Sequence, residues 1–313
     1  MSPKTRSSPH NWPRPGILVT HLMLFPPDFL TRVEYLSIVS KRVFRGRLLA
    51  QRRTMQMGAG IEFSDHREYA TGDDFRYLDW NVYARHGDLL LKRFQEEQDL
   101  HVYLMLDCSR SMAFGGSAKF DLARRLVAAL AYIALADLDR IAVFAFAENI
   151  VAEFPLTRGK ARILPLMRFL ENLPGSGQDT NLARSVQDML ARSRRNGLAV
   201  IVSDLYDEHG FQNGLDLLRF RHFDAHVIQV HDPREADPAL LGDVELVDVE
   251  NDGVRKVTVS EKNMRTYKAL FSDHQRAVRE FCRRHSFGCV QQPSTAGFDD
   301  AILHMMRATG KVA

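Results

Sequence analysis

Cysteine is scarce in this chain of 313 residues: there are three, Cys108, Cys282 and Cys289. They lack zinc-ligand spacing and leave one thiol over, which fits a reducing cytosol better than a disulfide-stapled secreted protein. No apolar run reaches the roughly 18 to 20 residues that a membrane span needs. The stretch Ile17 to Phe25 is mostly apolar, but His21 interrupts it and Pro26-Pro27 follow without a small-residue cleavage site, so no signal peptide is read. Charge is nearly balanced at a formal +3, so the total gives no argument for a nucleic-acid partner. Internal repeats are absent. There is no G-x-G-x-x-G, and the loop Cys108 to Lys119 has no Walker lysine arrangement, which argues against a nucleotide-binding Rossmann domain.

What is present is an ordinary globular composition, 45% hydrophobic and 26% charged, organised around one stretch, Leu104-Met105-Leu106-Asp107-Cys108-Ser109-Arg110-Ser111-Met112. Residues 101 to 106 are apolar on both faces, as a strand in the middle of a parallel sheet should be. The strand ends in Asp107, with hydroxyls at Ser109 and Ser111 and small residues before a long helix. One carboxylate and two hydroxyls on a loop at a strand's C-terminal end are hard oxygen donors suited to Mg²⁺ or Mn²⁺. That edge is where open α/β sheets bind ligands. The same three residues also fit a plain structural role, capping the next helix and satisfying loop amides.

The chain around this stretch divides into three parts. Residues 1 to 22 are rich in Pro, Ser and Arg and read as a disordered tail, and Met23 could be the true start. Residues 23 to 98 read as an N-terminal helix, over Phe29 to Ala50, followed by a charged and aromatic wrap. The helix carries and adjoins a basic run (Lys41, Arg42, Arg45, Arg47, Arg52, Arg53), either a solvated face or a docking surface for an acidic partner or anionic lipid. In the wrap, charges and aromatics alternate too densely for a core of its own. Extended strands and turns lying against the main sheet are expected, tied down by ion pairs. Such a segment serves as a structural collar or as a partner-facing surface.

From residue 99 to 313 strands and helices alternate, which predicts a mainly parallel sheet with helices on both faces. Strands are expected at Leu100–Leu106, Arg140–Phe146, Ile150–Phe154, Leu198–Ser203 and Ala225–Val230. Helices are expected at Lys119–Asp137, Lys160–Asn172, Thr180–Arg195 and Phe211–Phe223. A hairpin over 244–259 is signalled by Asn251-Asp252-Gly253. A long helix over Glu261–His285, an edge strand near Cys289–Gln291 and a short helix, Phe298–Met306, close the chain.

Two more loops leave strand ends on the same edge. Thr180 stands where the Gly-rich loop Pro174–Asp179 meets a helix, and Asp204 follows the strand Leu198–Ser203. Asp-x-Ser-x-Ser, then Thr, then a strand-terminal Asp is far more specific than the first motif alone, although a helix cap and a turn residue remain the plain readings of Thr180 and Asp204. No His lies in the three loops to act as a general base, and His209 is the nearest in sequence, which weighs against the alternative of a metal-dependent hydrolase or phosphoryl-transfer enzyme.

The first motif resembles the metal-ion-dependent adhesion site of von Willebrand factor A domains. Arg67-Glu68-Tyr69, Gly72-Asp73-Asp74, Arg76, Asp79-Trp80, Ala84-Arg85 and Leu106 to Met112 resemble a bacterial family labelled domain of unknown function fifty-eight, itself similar to von Willebrand factor A domains. The resemblance implies a von Willebrand factor A-like α/β fold and no enzymatic activity. It also implies association with MoxR-type AAA+ ATPases as a chaperone-like or assembly factor. By the same resemblance Ser109 and Ser111 would ligate a metal directly, Asp107 and Asp204 directly or through water, and Thr180 when a partner's carboxylate is bound. Larger relatives carry transmembrane helices near the N-terminus, and their lack here suggests a cytoplasmic version. One departure is that Gln178 and Asp179 stand where the family has small residues before the Thr.

Overall fold

The computed structural model describes residues 24–44, 53–56, 62–97, 99–114, 118–175, 179–238, 242–247 and 254–310. The N-terminal tail, Arg45, Arg47, Arg52, Gln178 and the Asn251-Asp252-Gly253 turn lie outside them.

The large sheet has six strands: β4 (His101–Asp107), β5 (Arg140–Phe146), β6 (Ile150–Arg158), β7 (Leu198–Ser203), β8 (Asp224–His231) and β11 (Gly288–Pro293). Their spatial order is β11-β8-β7-β4-β5-β6, parallel throughout except for β6, which runs antiparallel to β5 at one edge. The chain therefore builds to one side of β4 first, then crosses to the other side with β7. That reversal opens a crevice at the C-terminal ends of β4 and β7. Every residue of β4 is buried, as its two-faced apolar run requires.

Alternate residues of β4 feed two cores. Val102, Leu104 and Leu106 join one with α1 (Phe29–Phe44), α3 (Ala118–Ala136), α4 (Ile163–Glu171) and α9 (Phe298–Gly310). Tyr103 and Met105 join the other with α5 (Leu182–Arg192), α6 (Phe211–Phe220) and α8 (Glu261–Arg284). The architecture is the doubly wound α/β one expected. The N-terminal helix is part of the first core, through Phe29, Val33 and Leu36. Between β8 and α8 lie the short helix α7 (Pro233–Ala236) and the hairpin strands β9 (Gly242–Val247) and β10 (Val254–Val259), paired Val247 to Val254.

The charged and aromatic segment forms a sheet of its own. Strands β1 (Arg53–Gln56), β2 (Glu62–Glu68) and β3 (Leu90–Glu97), with the short helix α2 (Trp80–His86), make a separate antiparallel sheet in the order β1-β3-β2. It has a small core after all, because the bridge pairing Leu78 with Leu91 buries both, and neither belongs to the two larger cores. Asp79 locks this unit. It is 7% exposed, caps α2 through the amides of Asn81 and Val82, and meets His66 at 2.9 Å and Lys92 at 3.5 Å. The hydrogen bond from His66 is the main reason its carboxyl sits at about 2.

The helix pair α5–α6 positions the Thr180 loop, and its close approach depends on Gly214. A Cβ at that position would lie 2.6 Å from Leu182 Cγ and 3.1 Å from the Leu182 backbone. Gly214→Ala is expected to cost about 1–3 kcal/mol through overpacking, read as a lower urea midpoint at unchanged slope.

Candidate functional site

Parallel register sets the first two loops side by side. Leu106 pairs with Val202, so Asp107 and Ser203 leave adjacent strand ends together. Asp107 is fully buried and both its oxygens are used. Oδ1 accepts the Ser109 amide at 2.8 Å, and Oδ2 accepts the Ser203 hydroxyl at 2.5 Å. Ser203 in turn accepts the Leu205 amide at 2.8 Å. Leu205 has φ of 62°, an uncommon left-handed conformation for a branched residue, and it is buried directly after Asp204. The tight turn is thus held by Ser203 and aims Asp204 back into the crevice.

Neither the Ser109 nor the Thr180 hydroxyl behaves as a cap. Ser109 stands at the N-cap of the 3₁₀ turn Arg110–Ala113 but makes no side-chain cap bond. Its Oγ instead lies 3.0 Å from Ser111 Oγ. Thr180 is 4% exposed, yet Asn181 provides the cap of α5, and Thr180 Oγ1 has no hydrogen-bond partner among the described residues. A buried hydroxyl with no partner costs free energy unless something else satisfies it. The loop holding Thr180 is fixed from two sides. The Asn181 amide donates to the Ala147 carbonyl just beyond β5, and the Leu182 amide donates to Asp207, three residues past Asp204.

Asp204 is 1% exposed. Its Oδ1 accepts the Tyr206 amide at 3.2 Å, and its Oδ2 accepts the Lys119 ammonium at 2.8 Å. Lys119, in the first turn of α3, is fully buried and also donates to Glu235 on α7. Glu235 is itself anchored, since its other oxygen accepts the Asp232 amide at 2.8 Å. The rings of Phe114 and Tyr206 flank the ammonium at 5.9 and 5.7 Å. Burial works against the charge on Lys119, but Asp204 and Glu235 outweigh it and hold the ammonium above its usual range. Burial pushes Glu235 up despite Lys119 beside it.

Asp107, Ser109, Ser111 and Asp204 therefore share one crevice. Asp107 and Ser109 hydrogen-bond directly, Ser109 meets Ser111, and the charge of Asp204 acts on Asp107. Thr180 has no direct bond to the other four; its loop is anchored through Asn181 to Ala147, just beyond β5, and through Leu182 to Asp207. Burial, followed by repulsion from Asp204, raises the Asp107 carboxyl to about 7 against the hydrogen bonds from Ser203 and Ser109. Of these two buried carboxylates, Lys119 reaches Asp204 and not Asp107.

The donor set fits a small divalent ion. Octahedral ligands at about 2.0–2.1 Å sit about 3.0 Å from their neighbours, which is the Ser109–Ser111 separation of 3.0 Å. The Thr180 hydroxyl adds a donor still in need of a partner. Among the described residues no three His, Cys, Asp or Glu side chains form a metal cluster, so the set is weighted toward hydroxyls. Sequence reasoning missed Ser203, Lys119 and Glu235.

The fold is a doubly wound α/β one with a polar crevice at the sheet's switch point. The chain belongs to the family described as Protein of unknown function DUF58, whose model matches residues 65–278. It is similar to the uncharacterized protein Rv1480 of Mycobacterium tuberculosis (strain ATCC 25618 / H37Rv), 27% identical over 237 residues, 74% of each chain. The uncharacterized protein MAV169 of Mycobacterium avium is 31% identical over 107 residues, covering 34% of this chain and 63% of that one. Among solved structures, the conserved hypothetical protein BatB from Bacteroides thetaiotaomicron aligns with a TM-score of 0.42 at 15% identity, over 68% of this chain and 98% of that one. An aerotolerance-related membrane protein from Bacteroides fragilis NCTC 9343 aligns with a TM-score of 0.43 at 15% identity, over 68% and 99%. No helix among the described residues is long and apolar enough to cross a membrane.

Proposed function

We propose that this chain is a metal-dependent protein-binding module of the von Willebrand factor A type, a cytoplasmic adaptor or chaperone-like partner of a MoxR-type AAA+ ATPase. Mg²⁺ or Mn²⁺ would be held by Ser109 and Ser111, with Asp107 and Asp204 acting directly or through water and Thr180 as a further donor. The observation that carries this reading is the buried Thr180 hydroxyl left without a partner on a loop tied to Asp207, three residues past the buried Asp204. When bound, the ion supplies an electrophilic open position that a partner's carboxylate can fill. The chain's own residues do the rest. The Ser203 hydroxyl and the Ser109 amide orient Asp107, and the turn at Leu205 fixes Asp204.

The test is affinity capture on the immobilised chain from a native lysate, with Mg²⁺ or with EDTA, followed by identification of the bound ATPase. Retention of a MoxR-type ATPase is expected in Mg²⁺ and should fall at least about tenfold in EDTA or with Ser109→Ala. Equal retention under all three conditions overturns the proposal.

A further inference from the structure

The arrangement of Lys119 has a consequence for which ion the crevice accepts, given the reading of the three loops as a cation site. Calcium takes six to eight oxygens and readily uses both oxygens of one carboxylate, whereas Mg²⁺ and Mn²⁺ favour six ligands and single oxygens. Here both oxygens of both carboxylates are already engaged. Asp107 holds the Ser109 amide and the Ser203 hydroxyl. Asp204 holds the Tyr206 amide and the Lys119 ammonium. Two of these four donors, the Ser109 and Tyr206 amides, lie two residues past the carboxylates they hold, and the third, Ser203, is the neutral last residue of β7. Lys119 differs, because it comes from α3 and carries charge. It cannot follow Asp204 toward an ion, since Glu235 holds it from the other side and is itself pinned to the Asp232 amide.

We infer that Lys119, held by Glu235, is a specificity-determining residue that confines Asp204 to a single oxygen and so makes the crevice select Mg²⁺ or Mn²⁺ over Ca²⁺. Its positive charge also offsets part of the negative charge an incoming ion would meet. Binding is thereby weakened into a range where the ion exchanges with the surroundings. Three carboxylates, Asp107, Asp204 and Glu235, against one ammonium leave a formal charge of −2, which a divalent ion balances.

The full-length chain titrated calorimetrically with MnCl₂ and with CaCl₂ tests this. The wild type should bind Mn²⁺ at least about tenfold more tightly than Ca²⁺. Lys119→Met/Glu235→Gln removes the ammonium together with its extra counter-charge. Its Ca²⁺ affinity should rise at least about tenfold and the Mn²⁺/Ca²⁺ ratio should fall toward one. Lys119→Met alone should move the ratio in the same direction where it folds, with circular dichroism reporting the fold. Two results overturn the inference: a wild type that binds Ca²⁺ as tightly as Mn²⁺, or a folded double variant with an unchanged ratio. Ser109→Ala separates the two levels. Mn²⁺ binding that Ser109→Ala leaves intact overturns the cation reading of the loops and the inference with it, whereas Ser109-dependent binding with an unchanged ratio overturns the inference alone.

Discussion

Asp107→Asn is expected to weaken Mn²⁺ binding at least about a hundredfold and, in EDTA above pH 7, to raise the melting temperature of the chain. The two effects have opposite signs for one reason. The folded chain buries Asp107 completely and places the charge of Asp204 nearby, so its carboxyl rises from 3.8 to about 7. A folded-state value above the unfolded one means the folded chain binds more protons between the two. The associated stability is complete below about 3.8 and is lost as pH rises through about 7. Above that pH the wild type carries a buried carboxylate that an added cation relieves, whereas the amide has no charge to relieve. The Asn carbonyl can still accept the Ser109 amide, and its amino group can donate to Ser203, so the local hydrogen bonds survive. Wild-type Mn²⁺ affinity should also fall by about tenfold per pH unit below 7, because the ion must displace one proton. Scanning calorimetry between pH 5 and 9, with EDTA or with Mn²⁺, measures all of this. A variant that melts below the wild type at pH 8, or that still binds Mn²⁺, would falsify the role given to Asp107.

The two carboxylates were legible in the sequence because each follows an apolar run, and a run of that kind in a parallel sheet fixes which edge its end reaches. Ser109 and Ser111 were legible through their spacing from Asp107. Local pattern carries less where a contact joins distant segments. Lys119 meets Asp204 across 85 positions and Glu235 across 116, so no motif spacing encodes them. A signal did exist, since Lys119 shares a helical face with Leu122, Ala123 and Leu126, all buried. A lysine on the buried stripe of an amphipathic helix needs a counter-charge in the core, and Asp204 supplies it. Ser203 was hidden for another reason. As the last residue of a buried strand it reads as part of the β pattern, and its role emerges only from the pairing of Leu106 with Val202. The small sheet around Leu78 and Leu91 was missed because two leucines far apart in a charged segment give no periodic signal, although one bridge is enough to bury both.

Lys119→Met should be the most destabilising single change in the crevice, at about 3–5 kcal/mol in EDTA at neutral pH. The methionine fills most of the lysine volume, so little of that cost comes from a cavity. It arises because Asp204 and Glu235, both buried and both bonded to the ammonium, are left facing each other without it. Removing the second carboxylate should therefore restore most of the loss, and Lys119→Met/Glu235→Gln should unfold in urea within about 1–2 kcal/mol of the wild type. Such non-additivity distinguishes a charge network from ordinary packing, in which the two losses would sum. The same logic predicts how the single variant responds to an ion. Mn²⁺ at a hundred times its dissociation constant should return about 2.7 kcal/mol to any chain that binds it only when folded. For Lys119→Met the gain should exceed that of the wild type at equal Mn²⁺ concentration, because the ammonium no longer offsets the negative charge that the ion meets. A Lys119→Met chain that loses less than about 1 kcal/mol, or that Mn²⁺ stabilises no more than the wild type, would mean that Lys119 is a bystander and that Asp204 is held by the Leu205 turn alone.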